Sequence, residues 1–437
     1  MDLLSVYKEV DALESEIIET RRDFHRYAES AWTEFRTTSK IVEFLTAQGM
    51  KVAYGRQVIN PEYAWAWPGV EAAKKQQQRA IEQGASAELV ENMQYYTGAV
   101  TVIETGRPGP VIALRFDIDC NDVEESKEDF HRPYKEGFCS VNANMTHACG
   151  HDGHSAVGMF TAALLNKHKD ELCGTIKLLF QPAEEGDRGA VAMIKTGILD
   201  DVDVVLSSHI FNSPNGEYGL AGTQTCLYAT TKFDINITGK SAHAGFAPQT
   251  GNNAINAACV AVAGMQSFLQ DGRGSGRLNI GTISGGSGRN VIAESCHLRA
   301  ETRGSTTEVE QRLYKAAIDI VDGVCKAFGC SYTTEIKGIC PTGNGDLDLA
   351  EKIAKAAAKI PDFKYTQTEL AQTGGTDDFS CMMDAVREHG GKACYMALMT
   401  PLKAGHHNRS FDYDEGALKA GVKAFITVVD MLQKEYK

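Results

Sequence analysis

Two segments, 174–181 and 202–208, constrain the fold of this chain most, because their apolar residues follow one another instead of alternating with polar ones. A strand with one wet face alternates, so these two predict strands covered on both faces. Helical periodicity at 154–167 and 188–197 accompanies them. Such alternation predicts an α/β fold with a mainly parallel sheet and helices on both faces, and it places chemistry beyond the carboxyl ends of the strands.

The remaining pattern divides the chain. Residues 1–22 read as an acidic amphipathic helix, and helical periodicity continues to about 48, where Ile41, Phe44 and Leu45 share a face and Gly49 follows as a stop. A segment at 61–96, rich in Ala, Gln, Glu and Lys and carrying Trp65 and Trp67, reads as a helical insertion. Strands are expected at 99–104 and 110–116, joined through Gly106, Pro108, Gly109 and Pro110. Near 222 the texture changes to strands at 228–238 and 277–302 with helices at 251–270 and 306–328. The α/β pattern returns near 341, with a helix at 346–358, a strand at 392–398 and a last helix at 414–435. A length of 437 residues suits two domains. The expected division is a discontinuous catalytic domain, 1–222 with 341–437, interrupted by an α+β module at 223–340.

A formal net charge of -13, with no basic run, argues against nucleic acid as a partner. The opening segment lacks the basic and apolar regions of a secretory leader, and no stretch has the length of a membrane span, so a cytoplasmic protein without a membrane partner is expected. Twelve cysteines without CxxC spacing suit reduced thiols.

Four short motifs carry chemistry. His147-Ala148-Cys149-Gly150-His151-Asp152-Gly153-His154 precedes a helix and gathers thiol and imidazole donors suited to zinc-like ions. Phe180-Gln181-Pro182-Ala183-Glu184-Glu185-Gly186 ends a strand in two adjacent carboxylates, which can divide the tasks of metal ligand and general base. His209 terminates the next strand. Gly405-His406-His407-Asn408 precedes Phe411-Asp412 in the returning part of the chain. Singly, each also fits surface or strand-capping residues; jointly they supply Cys, His and Glu donors on the side where such a sheet keeps its site.

These motifs resemble, over nearly the whole chain, the metallopeptidase family of aminoacylases, hippurate hydrolases and auxin-conjugate amidohydrolases. The resemblance implies two divalent ions, Mn2+ or Zn2+, held by Cys149, His151, Glu185, His209 and His407, with Glu184 as general base. His407 is preferred to His406 because the family's late histidine stands four residues before the Phe of its FD pair, here Phe411. Asp117 and Asp119 match a family motif beside the ligands, where Asp119 would orient a ligand and raise its basicity. Phe116 stands where many relatives carry Ala, and Cys120-Asn121 where they carry Ala-Leu, so substrate contacts there differ.

In the inserted module the resemblance implies that His243 stabilises the oxyanion in a neighbouring protomer, and that Asn290 and Arg303 bind the amino-acid carboxylate. The loop Gly374-Gly375-Thr376-Asp377-Asp378 resembles the late family loop that closes the pocket, which implies Gly375 among the substrate contacts. The module is then a lid and dimerisation domain. The segment 21–30, the insertion and the ending Ala404-Gly405-His406-His407-Asn408 are most similar to the branch acting on p-aminobenzoyl-glutamate. The expected enzyme is therefore a metallo-amidohydrolase of N-acyl amino acids, as a homodimer or a heterodimer with a homologous subunit. The alternatives are hydrolysis of another substrate such as hippurate, a binding module with structural metals, or a non-catalytic partner subunit.

Overall fold

A computed structural model describes residues 1–268, 271–371 and 373–435. Eight strands form the larger sheet: β1 (Val52–Tyr54), β2 (Ala99–Glu104), β3 (Val111–Asp117), β4 (Thr175–Gln181), β5 (Val204–Asn212), β6 (Gly219–Thr225), β11 (Tyr365–Ala371) and β12 (Lys392–Thr400). Four form the smaller: β7 (Ala229–Thr238), β8 (Gly276–Gly285), β9 (Ser295–Gly304) and β10 (Ser331–Cys340). The spatial orders are β1-β2-β4-β3-β5-β12-β6-β11 and β10-β7-β9-β8. In the larger sheet the pairs β4–β3, β3–β5, β5–β12 and β6–β11 are parallel and the other three antiparallel. The smaller sheet is antiparallel throughout.

Successive residues of the two apolar segments point into different cores. Leu178 and Leu206 join the core under the helix His151–Lys167, while Leu179 and Val205 join the one under Met193, Phe379 and Met382. All four are fully buried, at about 1.5–3 kcal/mol each, which explains why neither segment alternates. The helix His151–Lys167 is itself buried on nearly every side, between the sheet and the helices Glu14–Arg26 and Ala417–Glu435.

The smaller sheet covers one face with the helices Ala254–Met265 and Thr307–Ala327, against Phe233, Ile235, Ile237 and Leu298. Its other face carries Lys232 and Asp234 on β7, opposite Glu301 and Arg299 on β9, with Arg303 two residues further.

The structure departs from expectation in several places. The opening helix breaks at Leu13 into Leu3–Ala12 and Glu14–Arg26. The helix expected at 188–197 shortens to Ala190–Ile194. That expected at 251–270 is Ala254–Met265 followed by a tighter turn to Phe268, and 269–270 lie outside the described residues. The histidine motif does not precede its helix; the helix begins at His151, and Gly150 supplies the left-handed backbone (φ +95°) that starts it. His209 does not terminate its strand. Pairing with β3 stops at Ser207, but β12 accompanies β5 to Asn212, leaving His209 inside the strand. Sequence patterning also missed β1, β6, β10 and β11, of which β6 runs across residue 222.

Candidate metal centre

The motif residues converge at the carboxyl ends of β3, β4 and β5 and the start of the helix His151–Lys167. The donor atoms of Cys149, His151 and His209 lie within 4.8 Å of one another, and so do those of Cys149, Glu185 and His407. The two triads share one thiol. Cys149, His151 and His209 are buried, whereas His407 stands at the exposed edge. His407 holds a left-handed backbone (φ +59°), unusual for a residue with a side chain, and its N–H donates to the Ala148 carbonyl across 2.8 Å.

Backbone carbonyls set the tautomers of two of these histidines. Nδ1 of His151 lies 2.9 Å from the Asp119 carbonyl, and Nδ1 of His209 lies 2.8 Å from the Ile210 carbonyl. A carbonyl only accepts, so each Nδ1 carries the proton and each Nε2 can present a lone pair. Nε2 of His209 lies 3.3 Å from the Cys149 sulfur, and among the described residues Nε2 of His151 is buried without a hydrogen-bond partner, 3.8 Å from Glu184 Oε2. A buried orphan nitrogen beside a thiol and a second oriented imidazole fits a divalent cation.

The other motif histidines are committed elsewhere. His154 Nδ1 meets Asp117 Oδ1 at 2.6 Å, and its Nε2 accepts the Ile210 N–H at 3.0 Å. His406 Nε2 donates to the Ile210 carbonyl at 2.9 Å. His147 is buried with both ring nitrogens unpartnered among the described residues, and burial pushes its pKa down to about 3.

Glu184 and Glu185 occupy a strained turn, with Ala183, Gly186 and Asp187 all at positive φ. Asp119 pins that turn by accepting the N–H of Glu184 at 3.1 Å and of Glu185 at 2.9 Å. Burial, then Asp377 and Glu185, push Glu184 well above the usual carboxylate range, as a proton acceptor for work near neutral pH requires. Burial also raises Glu185, but His407, His151 and Asn121 outweigh it and leave its pKa below the ordinary value. At His151 burial opposes the imidazolium, yet Asp117 and Asp119 lift its pKa well above normal, so a cation binding there displaces a proton.

Sequence reasoning named Asp117, Asp377 and Asp378 but missed Arg115, which gathers them into a buried charge cluster beneath this turn. Arg115 meets Asp117 at 2.6 Å, Asp378 at 3.1 Å and Asp377 at 3.3 Å, and the Tyr395 hydroxyl donates to Asp377. An arginine inside an otherwise apolar strand was the signal available.

A cavity of about 410 Å³ opens over the site and is lined by Cys149, Glu184, Glu185, His209 and His407, with Lys232, Arg303 and Gly375 from the opposite side. Arg303 donates to the Gly374 carbonyl at 2.9 Å and pairs with Glu301 at 3.2 Å. His243 and Asn290 do not line it. They lie together on the smaller domain, where His243 bridges to Val291 and the Asn290 carbonyl accepts the Ala244 N–H, and both are exposed. Nδ1 of His243 accepts the N–H groups of Gly245 and Phe246, each at 3.1 Å, so its Nε2–H is a free donor.

Known proteins resemble this chain over most of its length. The family model described as peptidase family M20/M25/M40 matches residues 113–431. The chain belongs to that family. The M20/M25/M40 match includes every residue from Asp117 to His407 discussed here, and the insertion at 61–96 falls before it. A p-aminobenzoyl-glutamate hydrolase subunit of Escherichia coli (strain K12) is 39% identical, covering 95% of each chain. The indole-3-acetyl-aspartic acid hydrolase of Enterobacter agglomerans is 38% identical, covering 97% of each. The crystal structure of the aminobenzoyl-glutamate utilization protein from Klebsiella pneumoniae superposes with a TM-score of 0.83 at 30% identity over 98% of each chain. As a member of M20/M25/M40 with these relatives, the protein is a metal-dependent amidohydrolase. Among the described residues, no helix is long and apolar enough to cross a membrane.

Proposed function

We propose that the protein hydrolyses the amide bond of N-acyl amino acids, p-aminobenzoyl-glutamate first among them, with two divalent ions, manganese or zinc, held by Cys149, His151, Glu185, His209 and His407. The observation that carries this reading is the shared thiol: two donor triads meet at Cys149 beside a carboxylate whose pKa is raised. Five ligands divided between two ions leave positions open, unlike a closed structural site. Relatives named for p-aminobenzoyl-glutamate and for indole-3-acetyl-aspartic acid support an aryl-acyl group on an acidic amino acid.

When bound, the ions supply Lewis acidity to the carbonyl and lower the pKa of a water. Glu184 removes the proton from the attacking water and returns it to the leaving nitrogen. Asp119 keeps Glu184 in place through the two main-chain N–H groups it accepts. Arg303, beside Gly375, holds the amino-acid carboxylate, for which its planar fork is suited. His243 and Asn290 act in the cavity of a second protomer, where the free Nε2–H of His243 donates to the oxyanion. Their exposure away from their own chain's cavity supports this, and so does Phe246, 88% exposed against the His243 ring. The assembly is a homodimer or a pair with a homologous chain, and the E. coli relative, itself named as one part of a larger hydrolase, supports it. The cytoplasm is its compartment, where twelve free cysteines stay reduced.

The test is release of glutamate from p-aminobenzoyl-glutamate, with hippurate as comparison, by the metal-loaded protein. Glu184→Gln is expected to lower kcat by about 10²–10⁴-fold with both ions retained. Full turnover in that variant would remove Glu184 from the mechanism, and no release from either compound by a protein holding two ions would overturn the substrate assignment.

A further inference from the structure

A second cavity, about 500 Å³, adjoins the metal centre's cavity and shares Lys232 with it. Three parts of the chain build it. Trp67 comes from the insertion at 61–96, Arg188 from the loop that follows Glu184 and Glu185, and Lys232, Asp234, Arg299, Glu301 and Lys337 from the helix-free face of the smaller sheet. Trp67 is held by stacking on Tyr96 at 5.1 Å and by donating to the Tyr95 carbonyl.

The lining of this cavity is richer in cations than the protein as a whole. The chain carries a net charge of -13, yet four cations here face two carboxylates. Lys232 is matched by Asp187, and Lys337 by Glu335 at 2.5 Å. Among the described residues, Arg188 and Arg299 form neither an ion pair nor a side-chain hydrogen bond. Unpaired arginines on an open surface are simply hydrated. These two stand in a concavity with an aromatic wall, where a bound anion loses less of its attraction to water.

Strand geometry connects them to the substrate. Arg303, Glu301 and Arg299 alternate along one face of β9, at steps of about 7 Å, and Lys232 stands opposite Glu301 on β7. Lys232 lines both cavities, with Arg303 on the catalytic side and Arg299 and Arg188 on the outer side. We propose that this outer cavity takes the acidic side chain of the released amino acid, and that Arg188 and Arg299 select glutamate- and aspartate-type leaving groups over neutral ones. The inference rests on the amidohydrolase reading above and concerns which amino acid is released. It also gives the insertion a task, because Trp67 walls this cavity.

The experiment measures dissociation constants of p-aminobenzoyl-glutamate and p-aminobenzoyl-glutamine for the metal-loaded Glu184→Gln protein, with and without Arg188→Gln and Arg299→Gln together. The glutamate compound is expected to bind about tenfold tighter or more, and the double substitution to bring the ratio near one with the glutamine value unchanged. Equal binding at the start, a preference that survives the double substitution, equal weakening of both ligands, or no binding of the glutamate compound would each overturn the proposal. Failure of the amidohydrolase reading shows separately, as absence of cleavage by the unsubstituted enzyme.

Discussion

The main-chain N–H of Ile210 donates to Nε2 of His154 across 3.0 Å, and that bond removes the third histidine of the motif from the metal donors. His151, three residues earlier on the same helix, has its Nε2 free. His154→Gln is expected to cost about 1–3 kcal/mol of stability and leave two ions per chain, whereas His151→Ala loses one of them. Metal content by mass spectrometry, beside denaturant unfolding, checks both; loss of an ion in the His154 variant would return that residue to the donor set.

His243 and Glu184 serve different cavities if the lid acts across protomers. Mixing inactive Glu184→Gln chains with inactive His243→Ala chains should then restore activity. Random pairing makes half the dimers mixed, each with one intact composite site, so recovery should reach roughly one quarter of normal. No recovery after chain exchange, verified by mass, would show that His243 does not act across protomers.

Arg303 makes its bonds to Glu301 and to the Gly374 carbonyl while lining the cavity. Arg303→Ala should raise KM for carboxylate-bearing substrates about tenfold or more, with a smaller change in kcat. Steady-state kinetics decide this, and an unchanged KM would exclude the contact.

His25 lies between two carboxylates, with Nε2 2.8 Å from Glu125 and Nδ1 2.8 Å from Asp152. Burial lowers its pKa, but Glu125 and Asp152 outweigh that and raise it to about 9. A folded value above the unfolded one means that the stabilisation is complete below about pH 6.5 and is lost as pH rises through about 9. Unfolding free energy should fall over that interval by up to about 1.4 kcal/mol per pH unit, and His25→Gln should remove this component. Urea unfolding across the interval, with the His25 imidazole followed by NMR, tests the sign; a slope unchanged by the substitution would assign it to another group.

Much of the architecture was legible because Leu178 and Leu179, or Val205 and Leu206, declare by their adjacency that both faces are covered. β6 was not legible, since its sequence is rich in glycine and threonine. Its glycines are required by close packing: a Cβ on Gly222 would meet the Ala350 carbonyl at 2.1 Å. Donor types in the metal centre could be read from the motifs, as several of those residues are neighbours in sequence. Tautomers could not, because they depend on carbonyls of Asp119 and Ile210 that only the folded strands bring close. The Arg115 cluster and the unpaired Arg188 and Arg299 were hidden for the same reason, being products of register between distant segments.

β12 lies between β5 and β6 in the larger sheet, although the whole smaller domain separates it from them along the chain. During synthesis the sheet must therefore wait, with the edges of β5 and β6 unpaired, until more than a hundred further residues have emerged. His407 follows β12, so the thiol-sharing pair of triads cannot be completed before the smaller domain has left the ribosome. On the proposed assignment, capture of the second cation is then a late event of chain maturation, and it reports that both domains have been made.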